Sequence, residues 1–214
     1  MANLVENDHD AQLSNETYAE VFSPSTALVI CETGGFSKQI KVFDLTSLHS
    51  NDLNNPAQIM TSISKSKNKY PSEPLFTIKR KNIAGTKWDL LNASGQTLAS
   101  WESPILLFGS SKLTFPSDSP YASSFGKISP LGVTKRGVTF VMSSVPYTWE
   151  SEGEREHFVL SKTLGGRKIQ LGEYFQKHGY DQRGVLTVDN TLIDVPVAII
   201  GCLALIKRWD SFAQ

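Results

Sequence analysis

The chain has 214 residues, of which 40% are hydrophobic and 20% are charged, and this composition is typical of one globular domain with a substantial core. Lys and Arg together number 21, as do Asp and Glu, so the formal net charge is zero. Proteins dedicated to binding nucleic acid usually carry a clear basic excess, and we therefore expect no nucleic-acid partner.

Residues 1–26 are predicted to form a flexible acidic arm. They contain five acidic residues and no Lys or Arg. The few apolar residues follow no pattern, so the segment cannot bury enough surface to offset the entropy of ordering it. It also lacks the basic start and the apolar stretch of a secretory signal, so we expect an intracellular, cytoplasmic protein. The acidic residues are Glu6, Asp8, Asp10, Glu16 and Glu20.

From Ala27 onward, short runs with the two-residue alternation of β-strands are separated by clusters of turn residues. No segment with a helical period of useful length is evident before residue 190, so we expect antiparallel connections. Twelve antiparallel strands are expected to close into a barrel, because closure removes exposed strand edges. The twelve predicted strands are 27–31, 39–43, 58–64, 75–81, 87–91, 97–101, 112–115, 138–143, 145–149, 157–161, 168–174 and 185–189.

The last segment, about 194–209, is predicted to be a helix. Residues 195–206 contain no polar side chain, Asp194 is a suitable N-cap, and Lys207 and Arg208 follow at the negative end of the helix dipole. A membrane anchor is the alternative, but a span needs about 20 apolar residues. A helix that is apolar on all sides must be surrounded on all sides. The sequence thus predicts a mainly β domain over 27–214, a closed antiparallel barrel around a buried C-terminal helix.

Two stretches resemble a known group of proteins. One is the basic strand 76–81 with the aromatic strand 87–91 and the turn that ends at Gly95, and the other is 192–206. Together with the twelve strands they resemble the tubby C-terminal-like superfamily, which includes tubby-like proteins, phospholipid scramblases and LURP-one-related proteins. The resemblance covers about 27–209 and implies a non-enzymatic binding or scaffold module that engages phosphoinositides, other phospholipids or another protein. The lipidated cysteine cluster and the calcium-loop pattern of scramblases are absent.

The main functional indication is a basic stretch. Residues 61–90 contain seven basic and two acidic residues, a local charge of +5. Such a face attracts anionic headgroups by about 1 kcal/mol per basic residue, and peripheral contact with membranes is expected on this basis. Outward lysines also keep a barrel soluble and protect its edges, which is the more common explanation. The acidic arm is a candidate mask for this stretch. The predicted ligand-binding residues are Lys79, Arg80, Lys81 and Lys87.

Other candidates are weaker, and we predict no catalytic residue, metal site or cofactor. Four alternating glutamates at 150, 152, 154 and 156 suggest a cation site or acid–base pair, but a glutamate-rich hairpin tip is usually solvated. His157 and His178 show no metal-ligand spacing. The rival function is an enzyme or carrier for a small apolar ligand. It requires a barrel-mouth cavity of several hundred Å³ lined by polar groups such as His157, Glu173 and Tyr174.

Overall fold

The computed structural model describes residues 21–33, 39–65, 70–104, 109–122, 126–132, 137–152, 156–176 and 182–212. Twelve strands form one closed barrel in which every neighbouring pair is antiparallel and β1 pairs with β12 to complete the ring. The predicted fold class is therefore confirmed. The strands are β1 (Thr26–Thr33), β2 (Gln39–Asp44), β3 (Phe76–Arg80), β4 (Lys87–Asn92), β5 (Thr97–Glu102), β6 (Ser111–Thr114), β7 (Gly126–Pro130), β8 (Gly137–Met142), β9 (Val145–Ser151), β10 (His157–Leu164), β11 (Arg167–Gln176) and β12 (Gln182–Val188).

One predicted strand is wrong. Residues 58–64 lie in a helix, α1 (Pro56–Lys65), so the expectation that no helix precedes residue 190 is also wrong. Ile59 and Ile63 are buried on one side of this helix, while Thr61, which a strand would place on the same face, is exposed. The number of strands is nevertheless twelve, because the sequence interpretation also missed one strand, β7.

Helix α1 covers part of the outside of the barrel. It packs on β11 and β12 and forms a second apolar core, separate from the barrel interior. This explains why 27–31 is apolar at every position, since strands covered on both faces read as continuous apolar runs. The residues of this outer core are Ala27, Val29, Cys31, Phe43, Leu45, Ile59, Met60, Ile63 and Val185.

The C-terminal helix, α2 (Val195–Phe212), lies inside the barrel, as predicted, and ends three residues beyond the expected boundary. It contacts β5, β8, β9 and β12, which lie on different sides of the ring. Ala198, Ile200 and Leu203, which project in different directions from the helix axis, are all fully buried. The backbone oxygen of Asp194 accepts hydrogen bonds from Val197 and Ala198, which starts the helix. In the described part of the chain, no helix combines the length and apolar character needed to cross a membrane.

We name the two ends of the barrel by the direction of α2. At the N end, where α2 begins, lie the turn between β10 and β11 and the segment that carries α1. At the C end, toward which α2 runs, lie the connections from β3 to β4, from β5 to β6 and from β7 to β8. The predicted arm 1–26 lies mostly outside the described residues. Its last residues belong to the barrel, because β1 starts at Thr26 and Ser25 N donates to Val188 O.

Candidate functional site

Four exposed lysines form a line across the outer face of the barrel that begins at its C end with Lys81, and we call Lys81, Lys87, Lys112 and Lys127 the basic row. Lys81 N donates to Lys87 O at 2.8 Å. Lys87 is paired in register with Glu102, Glu102 with Lys112, and Lys112 with Lys127. Neighbouring strands are about 4.8 Å apart, so these side chains lie side by side.

Two carboxylates lie within this surface. Asp89 Oδ2 is 2.9 Å from Lys81 Nζ, and Glu102 Oε1 is 3.4 Å from Lys87 Nζ. The Asp89 side chain is only 8% exposed and also accepts a 2.6 Å hydrogen bond from Ser100 Oγ. The hydrogen bond from Lys81 to Asp89, together with the attraction of the carboxylate, raises the pKa of Lys81. Lys81 is therefore positively charged at neutral pH.

The structure places the four predicted ligand-binding residues in two locations. Lys79, Lys81 and Lys87 project from the outer wall, where Lys79 is also exposed. Arg80 follows the inward-facing Phe76 and Ile78 on β3, so it lies at the rim of the C end. Lys79 and the basic row contribute five positive charges to this outer wall, and Asp89 and Glu102 contribute two negative charges. The formal charge of the wall is therefore +3.

A cavity of about 370 Å³ opens at the C end beside this wall. Its walls come from the β3–β4 connection, the start of β6, the end of β7 and the last turns of α2. Lys207 Nζ lies 3.7 Å from the ring centroid of Trp88, and Arg208 Nη2 donates to Gly132 O at 3.1 Å. Burial lowers the pKa of Arg208. The polar and charged lining residues are Thr86, Ser103, Ser111, Ser129, Lys207 and Arg208.

The polar groups proposed for a barrel-mouth ligand site do not line this cavity. His157 Nε2 and Glu173 Oε2 are 3.5 Å apart on the outer face of β10 and β11. Tyr174 is completely buried in the barrel core against Phe158. A cavity of the expected size thus exists, but its polar groups are hydroxyls and cations rather than the predicted residues.

In the part of the chain that the structure describes, the remaining candidates form no recognisable site. Glu150 pairs with Lys168 across the sheet, and residues 154 and 178 lie outside the described residues. Lys65 ends α1, which packs on β11 and β12, so it does not join the basic row. Within the described residues, no cluster of three or more His, Cys, Asp or Glu side chains is positioned to hold a metal ion.

Among the described residues, the sequence interpretation missed Lys112 and Lys127 of the basic row, and Lys207 and Arg208 that line the cavity. Lys112 alternates with the buried Leu113, which indicated an outward position. Its proximity to Lys87 depends on the pairing of β5 with β6, which no local pattern reveals. Lys207 and Arg208 were interpreted only as favourable charges at the end of a helix.

Comparisons with known proteins add one similarity. No protein-family model and no curated protein matches the chain. Among solved structures, it is similar to the X-ray structure of a protein from Arabidopsis thaliana, AT5G01750, with a TM-score of 0.45 and 12% sequence identity. The match covers 88% of this chain and 91% of that chain.

Proposed function

We propose that the protein is a non-enzymatic binding module that contacts anionic phospholipid headgroups with the basic row and the adjoining C end of the barrel. The observation that carries the proposal is the row of cations from β3, β4, β6 and β7 on one outer wall, together with Lys207 and Arg208 of α2 in the cavity at the adjoining C end. The formal net charge of the whole chain is zero, so this concentration of positive charge is a local feature.

The architecture supports the same proposal. A closed twelve-strand antiparallel barrel around a C-terminal helix is the arrangement implied by the resemblance to the tubby C-terminal-like superfamily. We propose that the chain is a member of that superfamily. Since a fold can host many functions, the proposed binding to lipid is based on the surface charge and not on the fold.

The barrel interior offers little support for the rival function. An enzyme or carrier for a small apolar ligand needs an apolar cavity, and α2 occupies that volume with fully buried side chains such as Ile199 and Leu203. The cavity at the C end is lined by hydroxyl groups and two cations, which favour a phosphate or another anion. Anion binding next to Arg208 would also offset the desolvation of its guanidinium group.

The proposal can be tested with two variants of equal charge. The first is Lys79→Gln/Lys112→Gln/Lys127→Gln, which removes three cations from the outer wall at β3, β6 and β7. The matched control is Lys65→Gln/Lys162→Gln/Arg167→Gln, which removes three cations from α1 and the β10–β11 hairpin. Binding is measured by co-sedimentation with phosphatidylcholine vesicles that contain or lack phosphatidylserine.

We expect the first variant to bind acidic vesicles roughly 100-fold more weakly, because each basic residue near the surface contributes about 1 kcal/mol. The control should change binding by only a few-fold. Equal weakening of both variants would mean that total charge rather than this surface matters. A lack of binding by the unmodified protein to acidic vesicles would reject the proposal.

A further inference from the structure

The connection between β3 and β4 carries an exposed apolar residue at its tip. Ile83 is 96% exposed and is followed by the exposed Ala84. Within the described residues, the other large hydrophobic side chains exposed to solvent all lie toward the N end of the barrel. These are Val21, Leu48, Leu75, Val141 and Leu164. Among the described residues, Ile83 is therefore alone in presenting a large apolar side chain at the C end.

The conformation of this loop is stabilised by hydrogen bonds that Asn82 accepts and donates. Its Oδ1 accepts from Thr86 N and Lys87 N, both at 3.0 Å, and its Nδ2 donates to Thr86 Oγ1 at 2.7 Å. Gly85 N donates to Asn82 O, and Gly85 closes the turn with a φ of +70°, which favours glycine. The exposure of Ile83 is thus a property of an ordered turn.

The base of the loop is anchored to the barrel. Trp88 Nε1 donates to Gly85 O at 2.7 Å, and Lys81 N donates to Lys87 O. The Trp88 ring is buried and stacks on Trp101 at a centroid distance of 5.8 Å. The loop therefore holds Ile83 in a fixed position relative to the barrel.

Basic residues lie on both sides of this apolar tip along the chain. Arg80, Lys81 and Lys87 flank the loop in sequence, and Lys207 lies over Trp88 on the cavity side. Single exposed apolar residues are ordinary on protein surfaces. An apolar tip among basic residues is instead the combination by which peripheral proteins attach to acidic membranes: the apolar group enters the acyl boundary while the cations contact headgroups.

We propose that Ile83 inserts into the acyl boundary of an anionic membrane while Arg80, Lys81 and Lys87 contact the headgroup phosphates. The barrel then docks with its C end facing the lipid, and the cavity beside the loop opens toward the headgroup layer. This inference rests on the proposed function and adds the orientation of the protein and the residue that enters the membrane.

A fluorescent label at the tip tests the insertion. Both native cysteines are buried, with Cys31 6% and Cys202 0% exposed, so an Ile83→Cys variant can be labelled selectively with a polarity-sensitive nitrobenzoxadiazole dye. The matched control is Leu164→Cys, which places the same dye at the N end. With vesicles containing phosphatidylserine, we expect a blue shift and stronger emission at position 83 and no change at position 164.

Loss of the apolar side chain gives an independent measurement. We expect Ile83→Ser to weaken binding to acidic vesicles roughly 10-fold to 100-fold, the range for withdrawing one fully buried aliphatic side chain. The loss should persist at high salt, because it is not electrostatic. Leu164→Ser should leave binding unchanged. Thermal unfolding should be the same for both variants and the unmodified protein, since both side chains are exposed.

The outcomes separate the two proposals. If the protein binds acidic vesicles in a salt-dependent manner but the dye at position 83 stays in water, insertion is wrong and the proposed function stands. If the dyes at both positions shift equally, the C-end orientation is wrong. If the unmodified protein does not bind acidic vesicles, both proposals are rejected.

Discussion

Gly201 of α2 and Trp149 of β9 are packed so closely that a Cβ atom on Gly201 would lie 2.8 Å from Trp149 Nε1. The same atom would lie 2.9 Å from Cε1 of Phe140 on β8. Trp149 is 0% and Phe140 2% exposed, so neither ring can swing away. The helix backbone thus lies directly against the aromatic wall of the barrel.

This contact predicts that Gly201→Ala destabilises the protein. At an exposed helix position the same change gains about 1 kcal/mol in helix propensity. Here we expect a loss of about 1–3 kcal/mol in the free energy of unfolding, because the added methyl group overpacks a filled core. The measurement is urea denaturation of the variant and the unmodified protein, which gives the difference in their free energies of unfolding.

A double-mutant cycle supplies the control for Gly201→Ala. In a Trp149→Phe background, the smaller ring leaves space for the methyl group, so the penalty of Gly201→Ala should shrink. If Gly201→Ala stabilises the original protein, the close contact between helix and barrel is wrong.

The second prediction compares a buried and an exposed residue of α1. Ile59→Ala should lower the free energy of unfolding by about 2–5 kcal/mol, because Ile59 is fully buried against the outer face of the barrel. Thr61→Ala should have almost no effect, because Thr61 is exposed. In a strand these residues would share a face, so comparable losses in the two variants would contradict the helix.

The strands were predictable where inward residues are large and the alternation is visible. In 58–64 the helical signal was present, because Ile59, Met60 and Ile63 are spaced for one side of a helix and the adjacent pair breaks strict alternation. In β7 the signal was missing. Gly126 occupies an inward position where an added Cβ would lie 3.1 Å from Cδ2 of Leu113, so Ile128 alone marks the strand.

The site was predictable only within one hairpin. Lys79, Lys81 and Lys87 are close in sequence and alternate outward, which local pattern reveals. Lys127 joins them through β6 and β7, whose pairing is set by closure of the barrel. The ion pair between Lys81 and Asp89 depends on Asp89 lying within reach across β3 and β4, which spacing along the chain does not specify.

The third prediction is a pH dependence caused by Cys202. Burial raises the pKa of this thiol well above that of an exposed cysteine. The folded protein therefore holds the thiol proton more tightly than the unfolded chain does. The stability that this thiol contributes is complete below about pH 9 and decreases as the pH rises further, by at most about 1.4 kcal/mol per pH unit.

The measurement for Cys202 is urea denaturation between about pH 8 and about pH 10.5 under reducing conditions, for the unmodified protein and Cys202→Ala. We expect a shallower decrease in the variant, because it lacks the titrating thiol. The difference between the two slopes isolates Cys202 from other groups, such as Tyr147, whose pKa is also raised by burial. Parallel slopes would show that Cys202 does not contribute.

The last prediction uses the carboxylates that partly neutralise the basic row. Glu102→Gln and Asp89→Asn each remove one negative charge from the surface proposed to contact lipid. We expect each to tighten binding to phosphatidylserine vesicles about 5-fold, since one unit of charge near an acidic membrane is worth about 1 kcal/mol. The two variants should differ in stability. Asp89 is buried and bound to Lys81 and Ser100, whereas the exposed pair of Glu102 with Lys87 contributes at most about 1 kcal/mol.

Asp118→Asn supplies the control, because Asp118 is an exposed carboxylate in the β6–β7 connection at the N end. It changes the total charge by the same amount but leaves the basic row unaltered, so binding should not change. Equal tightening in all three variants would indicate a response to net charge. If Glu102→Gln and Asp89→Asn leave binding unaltered, the lipid does not contact the basic row, because a headgroup layer next to Lys87 and Lys81 would be affected by either neutralised carboxylate.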